Sequence, residues 1–516
     1  MCKNSKHCAR SDSVAALPAC NHHPICSPFP KSLHLISRSP HLISNRHTLH
    51  RHTPQQRPTA VRRARHSHAS RRVTRRQVLG RLAAGIVVPS IVAPSALGAG
   101  LLAPPSERIV VGLIGIGAMG QGHLAHLLKY DDVQVAAVCD VDRWRRQNAQ
   151  RTVEQTYAAR TGDGGFRGCS AYNDFRELLG RDDIDAVLIA TGDRWHAVTT
   201  VMAAQAGKDI YCEKPISLTV REAQAMVAAV QRYSRVFQGG FQQRSTPEFH
   251  RACQLVQQGA IGKVELVYVT FPGANGDVEL PPEPVPDGLD WDLWLGPAPY
   301  RPYNQRFHPY GKPPRVVPWD FCRDFGGGNL ASNAVHSFDI VQWALGMDDS
   351  GPVEVIPPET DQVPLLTYKY TGDVMLQVAP WRLDPQKHHI PKGWDPNTAI
   401  SAFGAVYVGQ HGWIHVGRQG FLTAYPADVL KQEDRSLART HSVHDHHRNW
   451  LDCIRSRGRT ASTVQSAARS TIVAHLGCVA HWTGRALRWD PQKMEFTGDQ
   501  QASRWLWRPM REPWTL

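Results

Sequence analysis

Short apolar runs alternate with longer stretches of helical period through the middle of this chain. Ile109 to Ile114, Val133 to Cys139, Ala186 to Ala190, Asp209 to Cys212 and Val236 to Gly239 read as strands, the first of them apolar enough to be buried on both faces. Between them, residues 120–129, 148–160, 196–206 and 219–233 read as helices, with a short helical turn at 175–179. Thr219 is placed to cap the last long helix. Strands and helices in this alternation predict an α/β domain over 106–240, built on a doubly wound parallel sheet. A helix at 247–258 leads into a second domain, 241–490, of a different texture. There 264–271 alternates like a strand, 272–318 is crowded with Pro, Gly and Trp, and 329–345 reads as a helix after three glycines. Short strand candidates at 354–356, 365–370, 374–378, 405–408, 413–416 and 421–425 suggest an antiparallel sheet. Helices at 445–455 and 465–483 precede a polar tail, 491–516. A loop as long as 272–318 is a functional or partner-facing feature.

The join between the first strand and first helix carries the most chemistry. Gly115-Ile116-Gly117-Ala118-Met119-Gly120 follows the first strand at once. In such a turn Gly115 permits the tight bend, Gly117 lets backbone N–H groups approach a diphosphate, and Gly120 lets helix and strand pack closely. The helix N-terminus adds partial positive charge. Asp140 ends the second strand, 20 residues beyond Gly120, where a carboxylate accepts the adenosine ribose hydroxyls. Together these predict dinucleotide binding. An acid at 140 repels a 2′-phosphate and favours NAD, while Arg143 close by keeps NADP as the alternative.

Composition changes the picture mainly at the N-terminus. The formal charge is +14, but residues 1–99 hold 16 Lys and Arg against one acid, Asp12, which leaves 43 basic and 44 acidic side chains for the rest. Nothing in the folded part argues for nucleic acid. Four of the 11 cysteines (Cys2, Cys8, Cys20, Cys26) sit in that extension, and the other seven are scattered without metal-type spacing, as small buried residues are. Residues 1–72, rich in His, Arg, Ser and Pro, read as disordered. Residues 73–99 contain Arg75-Arg76, an apolar stretch from Leu82 to Ala93 and a small-residue end, which resembles a twin-arginine export signal. The apolar stretch is too short to span a membrane, so no stable anchor is expected and the protein would be exported to the periplasm or beyond. Seventy residues ahead of the arginines is long for such a signal, and translation from Val73, if its codon is GTG, would account for it.

At Glu213-Lys214-Pro215 the chain resembles the Gfo/Idh/MocA oxidoreductases, the glucose–fructose oxidoreductase and inositol dehydrogenase relatives. The glycine motif, this EKP some hundred residues on, the Gly326-Gly327-Gly328 segment with its histidine, and Trp291-Asp292-Leu293-Trp294-Leu295-Gly296-Pro297 carry the likeness from about Arg108 to Leu516. Asp193-Arg194-Trp195-His196, Gln242-Gln243-Arg244 and Arg511-Glu512-Pro513-Trp514 are similar to the exported branch. The resemblance implies an N-terminal Rossmann domain and a C-terminal α/β domain whose large open antiparallel sheet builds a homo-oligomer. It implies hydride transfer to or from a sugar, polyol or glycoside hydroxyl, with the cofactor tightly bound and recycled outside the cytoplasm. Redox-neutral cleavage of a glycoside, or carbohydrate binding without catalysis on the same scaffold, are the alternatives.

The family's residues carry over by position. Lys214 would steady the alkoxide beside the nicotinamide, and Glu213, Thr191, His196 and Gln242 would line the cofactor groove. His336 would be the general acid/base. The family often places an aspartate one helical turn before that histidine. Here the position is Ser332, and Asp339, three residues after His336, is the candidate orienting partner. Arg244, Arg323, Ser332 and Asn333, with Trp319 and Asp324, are candidates for sugar hydroxyls. His441, His444, His446 and His447 lack a cysteine or carboxylate framework and read as a polar helix start, with no metal expected.

Overall fold

The computed structural model describes residues 107–162, 164–314, 318–358, 364–433 and 445–516. The basic extension, the twin-arginine segment with Val73, and His441 and His444 lie outside the described residues.

The first six strands are β1 (Ile109–Ile114), β2 (Val133–Cys139), β3 (Ser170–Tyr172), β4 (Ala186–Ile189), β5 (Asp209–Cys212) and β6 (Phe237–Gly239). They form one sheet in the order β3-β2-β1-β4-β5-β6, every neighbouring pair parallel. The crossovers are α1 (Ala118–Leu127), α2 (Arg143–Thr161), α3 (Phe175–Leu179), α4 (Asp193–Gln205) and α5 (Val220–Arg232). β1 and β4 are buried on nearly every residue because helices cover both faces. The strand order reverses between β1 and β4, so a crevice opens at their carboxyl ends. Thr219 caps α5 as expected, in a full capping box with Glu222.

After α6 (Pro247–Gln257) the chain builds a nine-stranded sheet from β7 (Val264–Val269), β8 (Glu354–Ile356), β9 (Leu366–Lys369), β10 (Met375–Val378), β11 (Ala405–Gly409), β12 (Gly412–Val416), β13 (Leu422–Tyr425), β14 (Leu487–Asp490) and β15 (Glu495–Phe496). Its order is β13-β12-β11-β7-β10-β9-β8-β14-β15. The sheet is mixed, not purely antiparallel, because β10 runs parallel to β7. One face packs on α8 (Val335–Ala344) and α10 (Val464–Thr483), while residues 379–400 cover part of the other, setting Leu383, Trp394 and Ile400 against Leu266, Tyr268, Val406 and Val408.

Three segments depart from the sequence-based expectation. The loop 272–318 contains α7 (Trp291–Leu295) and packs Trp291, Trp294, Leu295 and Phe307 into a small core of its own with Phe325, while Tyr300 and Tyr310 stay exposed. The chain beyond 483 is no loose tail: β14 pairs with β8, and Trp514 packs on Trp195 with ring centroids 4.6 Å apart. Arg511 meanwhile bonds the carbonyls of Asp292 and Gly296, which joins the two motifs quoted from opposite ends of the C-terminal half. Finally α9 (His446–Ser456) buries Trp450 and Leu451 in the core of the first sheet.

Candidate active site

The glycine turn behaves as its spacing predicts. Gly115 has φ +90°, and a Cβ there would sit 2.6 Å from the Ala190 carbonyl oxygen. A Cβ on Gly120 would strike the Gly115 carbonyl oxygen. A Cβ on Gly117, by contrast, would meet nothing within 4 Å. No side chain caps α1 at Gly117, so its first-turn N–H groups are free to bind an anion. Asp140 is buried at the mouth of the turn: Oδ2 accepts from Ile116 N at 2.7 Å and Oδ1 from Asp142 N at 2.8 Å. Each oxygen keeps a lone pair for a ribose hydroxyl. The residues present therefore fit a dinucleotide. Gly115, Gly117, Ala118, Met119 and Asp140 line a cavity of about 380 Å³ together with Thr191, His196, Glu213, Lys214, Ser332 and Asn333. Arg145 reaches the same cavity but spends its guanidinium on the carbonyls of Gly311 and Pro309. Arg143 packs against Gly288 instead.

Around Ser332 a cation and two carboxyls converge. Lys214 Nζ donates to the Ser332 carbonyl oxygen at 2.9 Å. Ser332 Oγ donates to Asp320 Oδ1. Asp193, at the first turn of α4, accepts from Gly327 N at 3.2 Å. Burial pushes both carboxyls above their ordinary range, and the Asp320 charge adds to the effect on Asp193, while Lys214 pulls each back. Beneath them Glu213 is buried yet held well below the ordinary range. Burial opposes its charge, but a 2.9 Å hydrogen bond from His123 and the nearby Lys214 outweigh it. Gly326 to Gly328 turn directly into a π-turn, Leu330–Ala334, which presents Ser332 and Asn333 to the cavity before α8 begins.

Two family models match this chain. Residues 109–241 fit the oxidoreductase family's NAD-binding Rossmann fold, and 260–369 with 409–516 fit its C-terminal alpha/beta domain. The chain belongs to the Gfo/Idh/MocA oxidoreductase family. Inositol 2-dehydrogenase of Salmonella typhimurium (strain LT2) is 31% identical over 159 residues, 30% of this chain and 44% of that protein. A glycosyl hydrolase family 109 protein of Shewanella pealeana is 32% identical over 136 residues, 26% of this chain and 28% of that protein. The chain spans less than half the length of these curated relatives. The crystal structure of aldose-aldose oxidoreductase from Caulobacter crescentus, complexed with glycerol, covers 74% of this chain and 99% of its own at 16% identity and a TM-score of 0.47.

Within this Gfo/Idh/MocA fold several expected residues stand elsewhere. Asp339 does not orient His336: both its oxygens pair with the buried Arg244 at 2.8 and 2.9 Å, and Ser470 donates to one of them. Arg244 is thereby no sugar ligand, since Asp348 takes the rest of its guanidinium. The Arg323 guanidinium lies over the rings of Trp482 and Trp505, away from the cavity-lining set. Gln242 stands behind the groove, donating to Glu213 and the Tyr211 hydroxyl. His196 does line the cavity as expected, and its ring also braces the turn between the Pro215 and Thr191 carbonyls. His336 is buried with its ring edge-on to Phe241 and Phe403, Nδ1 has no hydrogen-bond partner, and burial with the Lys214 charge holds it far below its ordinary pKa.

Sequence reasoning missed Asp320 and Asp193. Asp193 was visible only as part of a motif. Asp320 follows Trp319 in the loop, and no local pattern ties it to Ser332, 12 residues on. It restores a carboxylate at the place where Ser332 interrupts the family's pattern. The long loop also roofs the cofactor end. His308 and Gly311 N both reach Asp142 Oδ2, at 3.3 and 2.7 Å, and Arg194 lies 3.7 Å from the Trp294 ring centre.

Proposed function

We propose that this chain is an NAD-dependent oxidoreductase that moves hydride to or from a sugar or polyol hydroxyl carbon, with Lys214 and Asp320 handling the hydroxyl proton. The observation that carries this is the convergence of Lys214 and Asp320 on Ser332, in the same cavity as the open face of Gly117. A nicotinamide dinucleotide, when bound, supplies the hydride acceptor and donor. Lys214, fixed by the Ser332 carbonyl, offers its remaining N–H groups to an oxygen gaining negative charge. Asp320 takes the hydroxyl proton in the oxidation direction and returns it in reduction, and its raised pKa brings it nearer the working pH than an exposed acid would be. His336, outside the cavity lining and kept neutral by burial and Lys214, is given no proton-handling role. The packing of Arg143 on Gly288 leaves Asp140 facing the ribose site, which favours NAD over NADP.

The twin-arginine resemblance of residues 73–99 supports export with the cofactor tightly held and recycled on the protein. Pairing through the uncovered part of the large sheet, where Met375 of β10 is exposed, would build the homo-oligomer. A second reading, redox-neutral glycoside cleavage, is favoured by the two buried carboxyls, one of which can stay protonated to serve a leaving oxygen. The test is to release and weigh the nicotinamide that co-purifies with the protein, then follow its absorbance while sugars, polyols and glycosides are added. Reduction by a free sugar or polyol supports the first reading, and glycoside cleavage without net reduction the second. No nicotinamide bound or bindable would refute both.

A further inference from the structure

Outside the active site, on α1 and at the start of α9, the fold gathers a second set of titratable groups. His123 and His126 stand one turn apart on α1, and Asp445 and His447 meet them from α9. His126 Nε2 is 3.5 Å from Asp445 Oδ1, and its ring stacks on His447 with centroids 4.5 Å apart. One donor atom from each of His126, Asp445 and His447 lies within 4.8 Å of the other two.

The hydrogen bonds behind the cluster hold its rings in place. The Glu213 carboxylate can only accept, so His123 Nε2 carries the proton of their 2.9 Å contact. His123 Nδ1 in turn lies 2.8 Å from His447 Nε2. With Nε2 of His447 engaged there, Nδ1 is the ring nitrogen left for an ion. This is the arrangement in which a metal-ligating histidine is oriented by a carboxylate, here through one intervening imidazole. Asp445 is braced too: Tyr130 donates to its Oδ2 at 2.5 Å and Arg448 N to its Oδ1 at 3.0 Å, with a lone pair left on each oxygen.

We infer that His126, Asp445 and His447 form a binding site for one divalent cation of the zinc class, with water completing the coordination. Two imidazoles and one carboxylate suit such ions. Donors about 2.1 Å from a tetrahedral ion stand about 3.4 Å apart, and the His126–Asp445 edge already has that length. His126 must exchange its 2.9 Å hydrogen bond with Tyr130 for the ion, and its partial exposure gives it room to turn. An ion here would tie α1, whose N-terminus forms the glycine turn, to α9.

The competing role is a plain hydrogen-bonded helix start, and a titration separates the two. The full-length protein is stripped with a chelator, titrated with Co²⁺ while its visible absorption is recorded, and then challenged with Zn²⁺. His126→Ala and Asp445→Asn are run beside it, since Asn still caps α9. The first 99 residues hold cysteines and histidines of their own, so the difference between wild type and variant is what is read. One equivalent fewer in each variant, with loss of a four-coordinate spectrum and of the Zn²⁺-induced rise in Tm, is expected. Superimposable titrations of wild type and both variants would overturn the assignment. Melting curves without metal show whether each variant is folded.

Discussion

Replacing Asp320 with Asn keeps the side chain's shape and its bond from Ser332, because an amide oxygen still accepts, and removes only the capacity to hold a proton. General acid–base catalysis by one positioned group is worth about 10²- to 10⁴-fold, or roughly 3–5 kcal/mol of barrier. Stability should not fall: the variant removes a buried carboxyl whose charge acts against that of Asp193. The assay is the steady-state rate of nicotinamide reduction by whichever sugar or polyol the protein turns over, measured against pH. Oxidation needs the ionised carboxylate. The wild-type rate therefore falls as pH drops through a pKa that burial has raised above the ordinary value of about 4. D320N should be slower by at least about 100-fold and lose that acid limb, with NAD affinity unchanged. Adding Ser332→Asp to D320N returns a carboxylate one turn before His336 and should recover part of the loss. A D320N protein within threefold of wild type, with the same acid limb, would refute the role given to Asp320.

Other outcomes test the remaining assignments. Arg244→Ala leaves Asp339 buried without its partner and should destabilise the fold by about 3–5 kcal/mol in chemical denaturation, whereas a sugar-contact role would raise KM at unchanged stability. Thr219→Ala removes half of the capping box on α5 and should cost about 1 kcal/mol by the same measurement, with activity intact.

The nucleotide half of the molecule was legible because its signals are local. A buried strand, three glycines at set spacing, an acid at the end of the next strand and a threonine cap each declare themselves within a few residues. Lys214 was legible through its motif. The proton-handling end was not, because it is assembled across the chain. The turn at Gly326–Gly328 and the π-turn fold Ser332 back onto Asp320, and no helical or strand period relates the two. Asp339 misled for the opposite reason. Its spacing from His336 fits one helical face, but a buried arginine from another element claimed it. β14 escaped notice because a four-residue strand gains its stability only by pairing with β8, more than a hundred residues earlier.

The most direct test of the account is calorimetric titration of NAD into the wild type, stripped of any bound nucleotide, and into Gly117→Val. Glycine is the residue whose missing Cβ opens onto the crevice, and a branched side chain there would fill the space where a diphosphate meets the α1 N-terminus. One equivalent bound by the wild type and a loss of affinity of at least 100-fold in a folded G117V protein is the predicted result. Equal affinity in both proteins, or no binding by the wild type, would contradict it.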